Sequence, residues 1–318
     1  MFYRLIFLIA AFVAASFCPA AATTWDEPWH SQVVKAADSF IMAKIGASDE
    51  HKGITATVIQ TLGGAPITGK IQINDFYLLN MCSSSGHGPE LHMGDADTCY
   101  FFLKKNAAGT YSLPTPTTGF APLSHKTVMA TYRHSYHQAM VPQAVYEATM
   151  TAIFLHAHGQ PYDSDYIAKY VSTTLALPPA TIDKAGMTTF FQQHVALETM
   201  YHLGWNANYE LVLPFLRDTK NFHAQISAAR ALTGFNTPDA RQQLLTLLRS
   251  KETDGFAKTM AVWTLASFQP KELKPELEQL ARSASAGKDG FGGNIMDPRV
   301  CTRIPTVKEA LLKLVASL

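Results

Sequence analysis

An excess of charge of either sign is missing from this sequence. Lys and Arg number 26 against 25 Asp and Glu, and charged residues make up only 16% of the 318. Such a balance argues against nucleic acid and against electrostatic attachment to a membrane surface. Long apolar runs are missing as well once Phe17 is passed, so no later segment reaches the length needed to span a bilayer. The Gly-rich stretch GKDGFGGNIMDPRV lacks the preceding strand, the following helix and the Lys-Ser/Thr ending of a phosphate cradle, and reads as a surface loop. Nor does any catalytic constellation stand out. No cofactor is expected, and the chain is read as non-catalytic.

What is present begins with a leader. Met1 to Arg4 is short and positive, Leu5 to Phe17 is apolar, and Ala20-Ala21-Ala22 offers small residues for cleavage. These are the three parts of a secretory signal peptide, so residues 1–22 are expected to be removed, leaving a secreted or periplasmic chain from about Thr23. With 47% hydrophobic residues the remainder can bury a sizeable core, expected as two domains, 23–135 and 136–318. In an oxidising compartment Cys82 and Cys99 are expected to pair, closing a Gly- and Ser-rich loop and contributing about 3 kcal/mol in the chain-entropy model, with Cys301 left over. Two separate thiols are the other reading, because nearness in sequence does not guarantee disulfide geometry.

The first half reads as strands. FIMAKIG, GITATVIQTL and GKIQINDFYLL are β-branched and partly alternating, and CYFFLKKN and TYSLP flank a turn at Ala107-Ala108-Gly109. Five short strands in about 80 residues indicate a small antiparallel barrel or sandwich. The order ADSFIMAKI, TATVIQTLGG, GKIQI, a Cys-bearing loop and CYFFLKK…GTYSLP resembles the OB-fold barrel of netrin-like, tissue-inhibitor-of-metalloproteinase-like domains over roughly Val34 to Leu113. Those inhibitors chelate a protease's metal with an N-terminal cysteine. Thr23 or a neighbour stands there in this chain, so the resemblance implies the fold and not the inhibition.

Histidines supply the other chemical candidates. His87 and His92 lie between Cys82 and Cys99 at a spacing unlike any standard zinc finger. Tyr132, Arg133, His134, Tyr136 and His137 form a cluster suited to a ligand patch or to a seam between domains. His156 and His158 end a helix opened by Pro142 and stopped by Gly159, where a histidine interacts with the exposed carbonyls. A second helix over Ser164 to Leu175 ends before Pro178-Pro179.

Thr188 to Leu203 is apolar almost all round, as expected of a helix sandwiched between neighbours, yet His194, Glu198 and His202 run through it at i, i+4 and i+8. The two histidines lie two turns apart, about 12 Å by helical rise, too far to share one zinc ion. A ladder of bonds along the helix face is the expectation instead.

Beyond it come two units that echo each other. NFHAQISAARALTGF and TPDARQQLLTLLRS are followed by GFAKTMAVWTLASF and KPELEQLARSA, with Phe235 against Phe268 setting a period of 33 residues. Phe222, Ile226, Ala229 and Leu232 make one buried stripe, and Leu211, Leu213 and Leu216 another. ISAARALTGF and TMAVWTLASF resemble the first helices of bacterial HEAT repeats, and LVLPFLRD and QLLTLLRS the second, over about 188–284. A single helix pair cannot bury both of its apolar faces, so neighbours stack into a solenoid. The resemblance implies a scaffold that offers its second helices to a protein partner. Pro305 to Leu318 is expected to cap the array.

The fold class is therefore α+β: a small antiparallel OB-like β-barrel, then an α-solenoid of HEAT-like helix pairs. The function expected is protein binding by an exported scaffold. Two alternatives stand beside it: a metal-dependent hydrolase drawing on His87, His92, His134, His137, His156 and His158, and an inhibitor or ligand-binding module acting through the barrel.

Overall fold

The computed structural model describes residues 28–49, 52–74, 97–114, 119–133, 138–284, 291–292 and 303–318. The leader, Cys82, His87, His92, His134, Tyr136, His137, Cys301 and most of the Gly-rich loop lie outside the described residues.

After a short helix α1 (His30–Ala36), strands β1 (Ser39–Asp49), β2 (Gly53–Gly64), β3 (Lys70–Asn74), β4 (Thr98–Lys105) and β5 (Tyr111–Ser112) close on themselves in the order β1-β2-β3-β5-β4-β1. All pairings are antiparallel except β3 with β5. This is the OB-like barrel that the strand pattern indicated. A meander of β6 (Phe120–Ser124), β7 (Thr127–Thr131) and β8 (Gln138–Pro142) extends the sheet from β4.

The central parts of β1 and β4 are buried on both faces, which is why FIMAKI and CYFFLK read as nearly continuous apolar runs. Alternate residues Ile41, Ala43, Ile45, Cys99, Phe101 and Leu103 fill the barrel interior. The intervening Phe40, Tyr100 and Phe102 face outward into a second core. There Phe40 and Phe102 stack on each other and on Phe154 of the first long helix, and Tyr100 lies tilted against Phe40 and Tyr146. Strand β2 runs close under that helix. A methyl carbon built on Gly63 would come within 2.5 Å of the Phe154 ring, so only glycine fits there.

Helices then alternate between two layers. The first contains α2 (Gln143–Ala157), α4 (Met187–Leu203), α6 (Phe222–Ala231), α8 (Gly255–Phe268) and α10 (Val307–Ser317). The second contains α3 (Ser164–Leu175), α5 (Tyr209–Leu216), α7 (Pro238–Arg249) and α9 (Lys274–Ser283). Helices α2, α4, α6 and α8 are apolar almost all round because both faces are covered. The second layer lies on one; on the other the barrel, α1 and β8 meet α2 and α4, while Trp29 meets Arg230 and Trp263. Helix α10, at the end of the layer, keeps Leu312 and Lys313 in solvent. Second-layer helices are amphipathic, keeping one face in solvent. Local sequence sets their ends. Asn221, Thr237 and Asp254 accept backbone hydrogen bonds as N-caps, and Pro238 occupies the first turn of α7.

Two expectations about packing need correction. Phe222 is 38% exposed, not part of the buried stripe, because α6 begins there and no preceding turn packs beside it. Leu211 is only half-buried, while Leu213 and Leu216 are buried as expected, with Val212 and Phe215 beside them.

Candidate functional site

Glu198, in the middle of α4, is wholly buried. A carboxylate taken out of water is tolerable only with charged and hydrogen-bonding partners, and two other stretches of the chain supply them. Arg230 of α6 places Nε 3.0 Å from Oε2, Arg133 after β7 places Nε 3.4 Å from Oε1, and Ser227 of α6 donates to Oε1 at 2.8 Å. Burial alone would raise the Glu198 carboxyl; Arg230, Arg133, His194 and the Ser227 hydroxyl together hold it below the ordinary range.

Ser227, His194 and Glu198 therefore touch, but they are not a nucleophilic triad. The Ser227 hydroxyl has one hydrogen and gives it to Glu198, so at 3.0 Å it accepts from Nδ1 of His194. Burial, then Arg133, pushes His194 down to about 3, so the ring is a weak base, and Nδ1, which carries its own hydrogen toward Ser227, cannot take the hydroxyl proton. The Ser227 side chain is also fully shielded from solvent. Among the described residues the side-chain bonds of α4 run to other elements rather than along its own face, as the expected ladder would. His194 turns to α6, Glu198 to two arginines, and His202 donates from Nε2 to the Tyr132 carbonyl at 2.8 Å. Side-chain bonds to other elements win because each of these groups is buried against a different neighbour. Among the described residues no group of three His, Cys, Asp or Glu converges as metal ligands would.

Tyr132 and Arg133 of the aromatic–basic cluster thus lie in the seam between barrel and helices. Tyr132 is fully buried, its hydroxyl 3.3 Å from Thr149 of α2. At the other end of α2, His158 faces the Phe154 carbonyl through Nδ1 (2.8 Å) and the Ala37 carbonyl through Nε2 (2.9 Å). It ties the helix end to the start of β1. His156 packs edge-on against Tyr162. Cys99 is buried in the barrel interior, and its expected partner Cys82 is outside the described residues.

The first layer is closed further along by Trp29. Its ring meets Trp263 of α8 edge-on at 5.5 Å, and the Arg230 guanidinium lies 5.6 Å from Trp29 and 3.9 Å from the Tyr201 ring. His30 follows, packed on Phe102 of β4 and His202 of α4. Tryptophan and arginine here link the N-terminal segment to three successive first-layer helices.

The second layer is open. Its helices are joined side by side by Tyr209 to Asp239, Arg217 Nη2 donating to Gln243 at 3.0 Å, Arg241 to Glu272 and Arg249 to Glu276. Between these links lie hollows of about 160, 500 and 550 Å³. Sequence reasoning passed over the arginines Arg217, Arg249 and Arg282, which end α5, α7 and α9 in LRD, LRS and ARS. Their recurrence at nearly the repeat period was the signal that could have found them.

Residues 209–288 match the family model for HEAT repeats, a match that takes in α5 to α9. No curated protein and no solved structure matches the chain.

Proposed function

We propose that the protein is an exported, non-catalytic scaffold that binds a protein partner on the solvent face of α5, α7 and α9. HEAT repeats suggest a helical protein-interaction scaffold, and they span this face. The observation that carries the reading is the inequality of the two layers. First-layer helices α2, α4, α6 and α8 are covered by the barrel, α1 and Trp29, whereas second-layer helices keep a polar, hollowed face in solvent. The N-terminal leader pattern supports export. The barrel acts as a cover and brace for the first layer, and the chain is read as a β unit followed by a helical unit.

Because α4 packs on β8, the full mature chain is the material to test. Crosslinking it in its native compartment should trap a defined protein through residues of α5, α7 or α9. Crosslinks confined to the barrel would overturn the assignment of the binding face. Localisation is checked separately: N-terminal sequencing of the exported fraction should find a start near Thr23, and a chain retained at Met1 in the cytoplasm would refute export.

A further inference from the structure

The three hollows of the second layer are parts of one trough. Ser250 and Thr253 line both the first and the second, and Arg249, Leu280 and Ser283 line both the second and the third. It runs past the C-terminal ends of α5, α7 and α9, one helix pair after another.

Its floor is apolar and its rim is cationic. Leu216 and Leu247 floor the first hollow, and Leu248, Leu280, Val307 and Leu311 the second. Among the described lining residues Arg217, Arg249, Lys251 and Lys258 carry positive charge, with Arg249 joined to Glu276, the one acid, and Lys258 engaged in a contact of its own. In a chain whose basic and acidic residues balance overall, four cations to one acid is a local concentration of one sign. A buried acceptor points the same way. Gln225, 1% exposed, donates from Nε2 to the Leu216 carbonyl at 3.1 Å, and its Oε1 has no partner among the described residues where Gln225 lines the first hollow. A buried carbonyl oxygen of that kind gains from an N–H donor brought by a ligand.

We infer that this trough is the docking site for an acidic polypeptide segment carrying leucine-sized apolar side chains. Carboxylates of the segment meet the arginine and lysine rim, apolar side chains enter between the leucines, and an amide N–H reaches Gln225 Oε1. The leucine floor disfavours nucleic acid, whose charged backbone has nothing to bury there, and a lone small anion would leave the floor unused. The inference rests on the scaffold reading and narrows it to a partner chemistry.

The test uses the full mature chain and three fluorescein-labelled synthetic peptides, followed by anisotropy. One peptide has glutamates flanking leucines, the second has lysines in place of the glutamates, and the third has serines in place of the leucines. The first should bind saturably, weakening about tenfold as ionic strength rises from about 0.05 to about 0.5 M, since rim charges are screened over the Debye length. Arg217→Glu with Lys251→Glu should weaken it about tenfold, at roughly threefold per exposed charge. Lys251 is exposed, so Lys251→Glu alone gives a fold-safe variant with a threefold effect expected at about that same scale. No binding of the first peptide, equal binding of either control peptide, or indifference to both variants would overturn the trough assignment. The scaffold reading fails separately, if the unaltered chain traps no partner in its native compartment; a partner trapped equally by the charge-reversed chain leaves the scaffold standing without the trough.

Discussion

Glu198 carries the heaviest electrostatic obligation of any single residue described. Two guanidiniums and one hydroxyl are turned inward to serve it, and removing the carboxylate leaves Arg230 and Arg133 buried without it. Glu198→Ala should cost about 3–5 kcal/mol, the usual range for breaking a buried ion pair from one side. Urea unfolding followed by circular dichroism measures this, and a loss below about 1 kcal/mol would mean that the arginines find water, as surface pairs do. Glu198 was visible in the sequence as a lone acid on an apolar helix. Its partners were not. Arg133, Ser227 and Arg230 come from two other stretches, and helical spacing holds no information about contacts between helices. The same holds for His202, whose acceptor is the backbone carbonyl of Tyr132.

Elements were far easier to read. Helix α3 spans Ser164–Leu175 as the pattern indicated, and Thr237 with Pro238 opens α7 as cap and first turn. These signals are local: capping side chains, prolines and apolar spacing act within one or two turns. The strands were legible for the same reason, with alternation blurred where both faces are buried. Helix α1 escaped notice because seven residues, His30–Ala36, give too short a period to recognise, and its stability comes from packing. Trp29 anchors it against Trp263 and Arg230. Trp29→Ala should therefore destabilise the chain by about 2 kcal/mol, less than a fully buried tryptophan because the ring is half-exposed. Hydrogen exchange should speed up in α1 first. Protection of α1 unchanged from the parent chain would show that the ring is not its anchor.

At the scale of the whole molecule the seam is the point of weakness to acid. His30, His194, His202 and His223 all lie there, and burial is the first cause that lowers each of them. His194 and His202 fall to about 3 and His223 to about 4, with Arg133 and Arg230 among the further causes. A folded-state value below the unfolded one means that the unfolded chain takes up protons that the folded chain refuses. Stability is then complete above the ordinary histidine value of 6.5 and is lost as pH falls from there towards 4 and 3. For His194 the loss reaches about 2 kcal/mol near pH 5, at about 1.4 kcal/mol per unit. Glu198, held below 4.5, adds to the loss at still lower pH. The urea midpoint should stay level between about pH 7 and 8 and fall steadily below about 6.5. A midpoint that does not move between about pH 6.5 and 4.5 would contradict this account of the seam.

The sequence by itself determined the barrel strands, the helix pairs and their 33-residue echo, because alternation, helical periodicity and caps are written within a few residues of where they act. Only the tertiary structure decided which layer of the array faces water. Barrel, α1 and Trp29 close over the first helices through contacts between residues as far apart as Trp29 and Trp263. Such contacts follow from the burial of whole apolar faces, and no local pattern specifies which face will meet which.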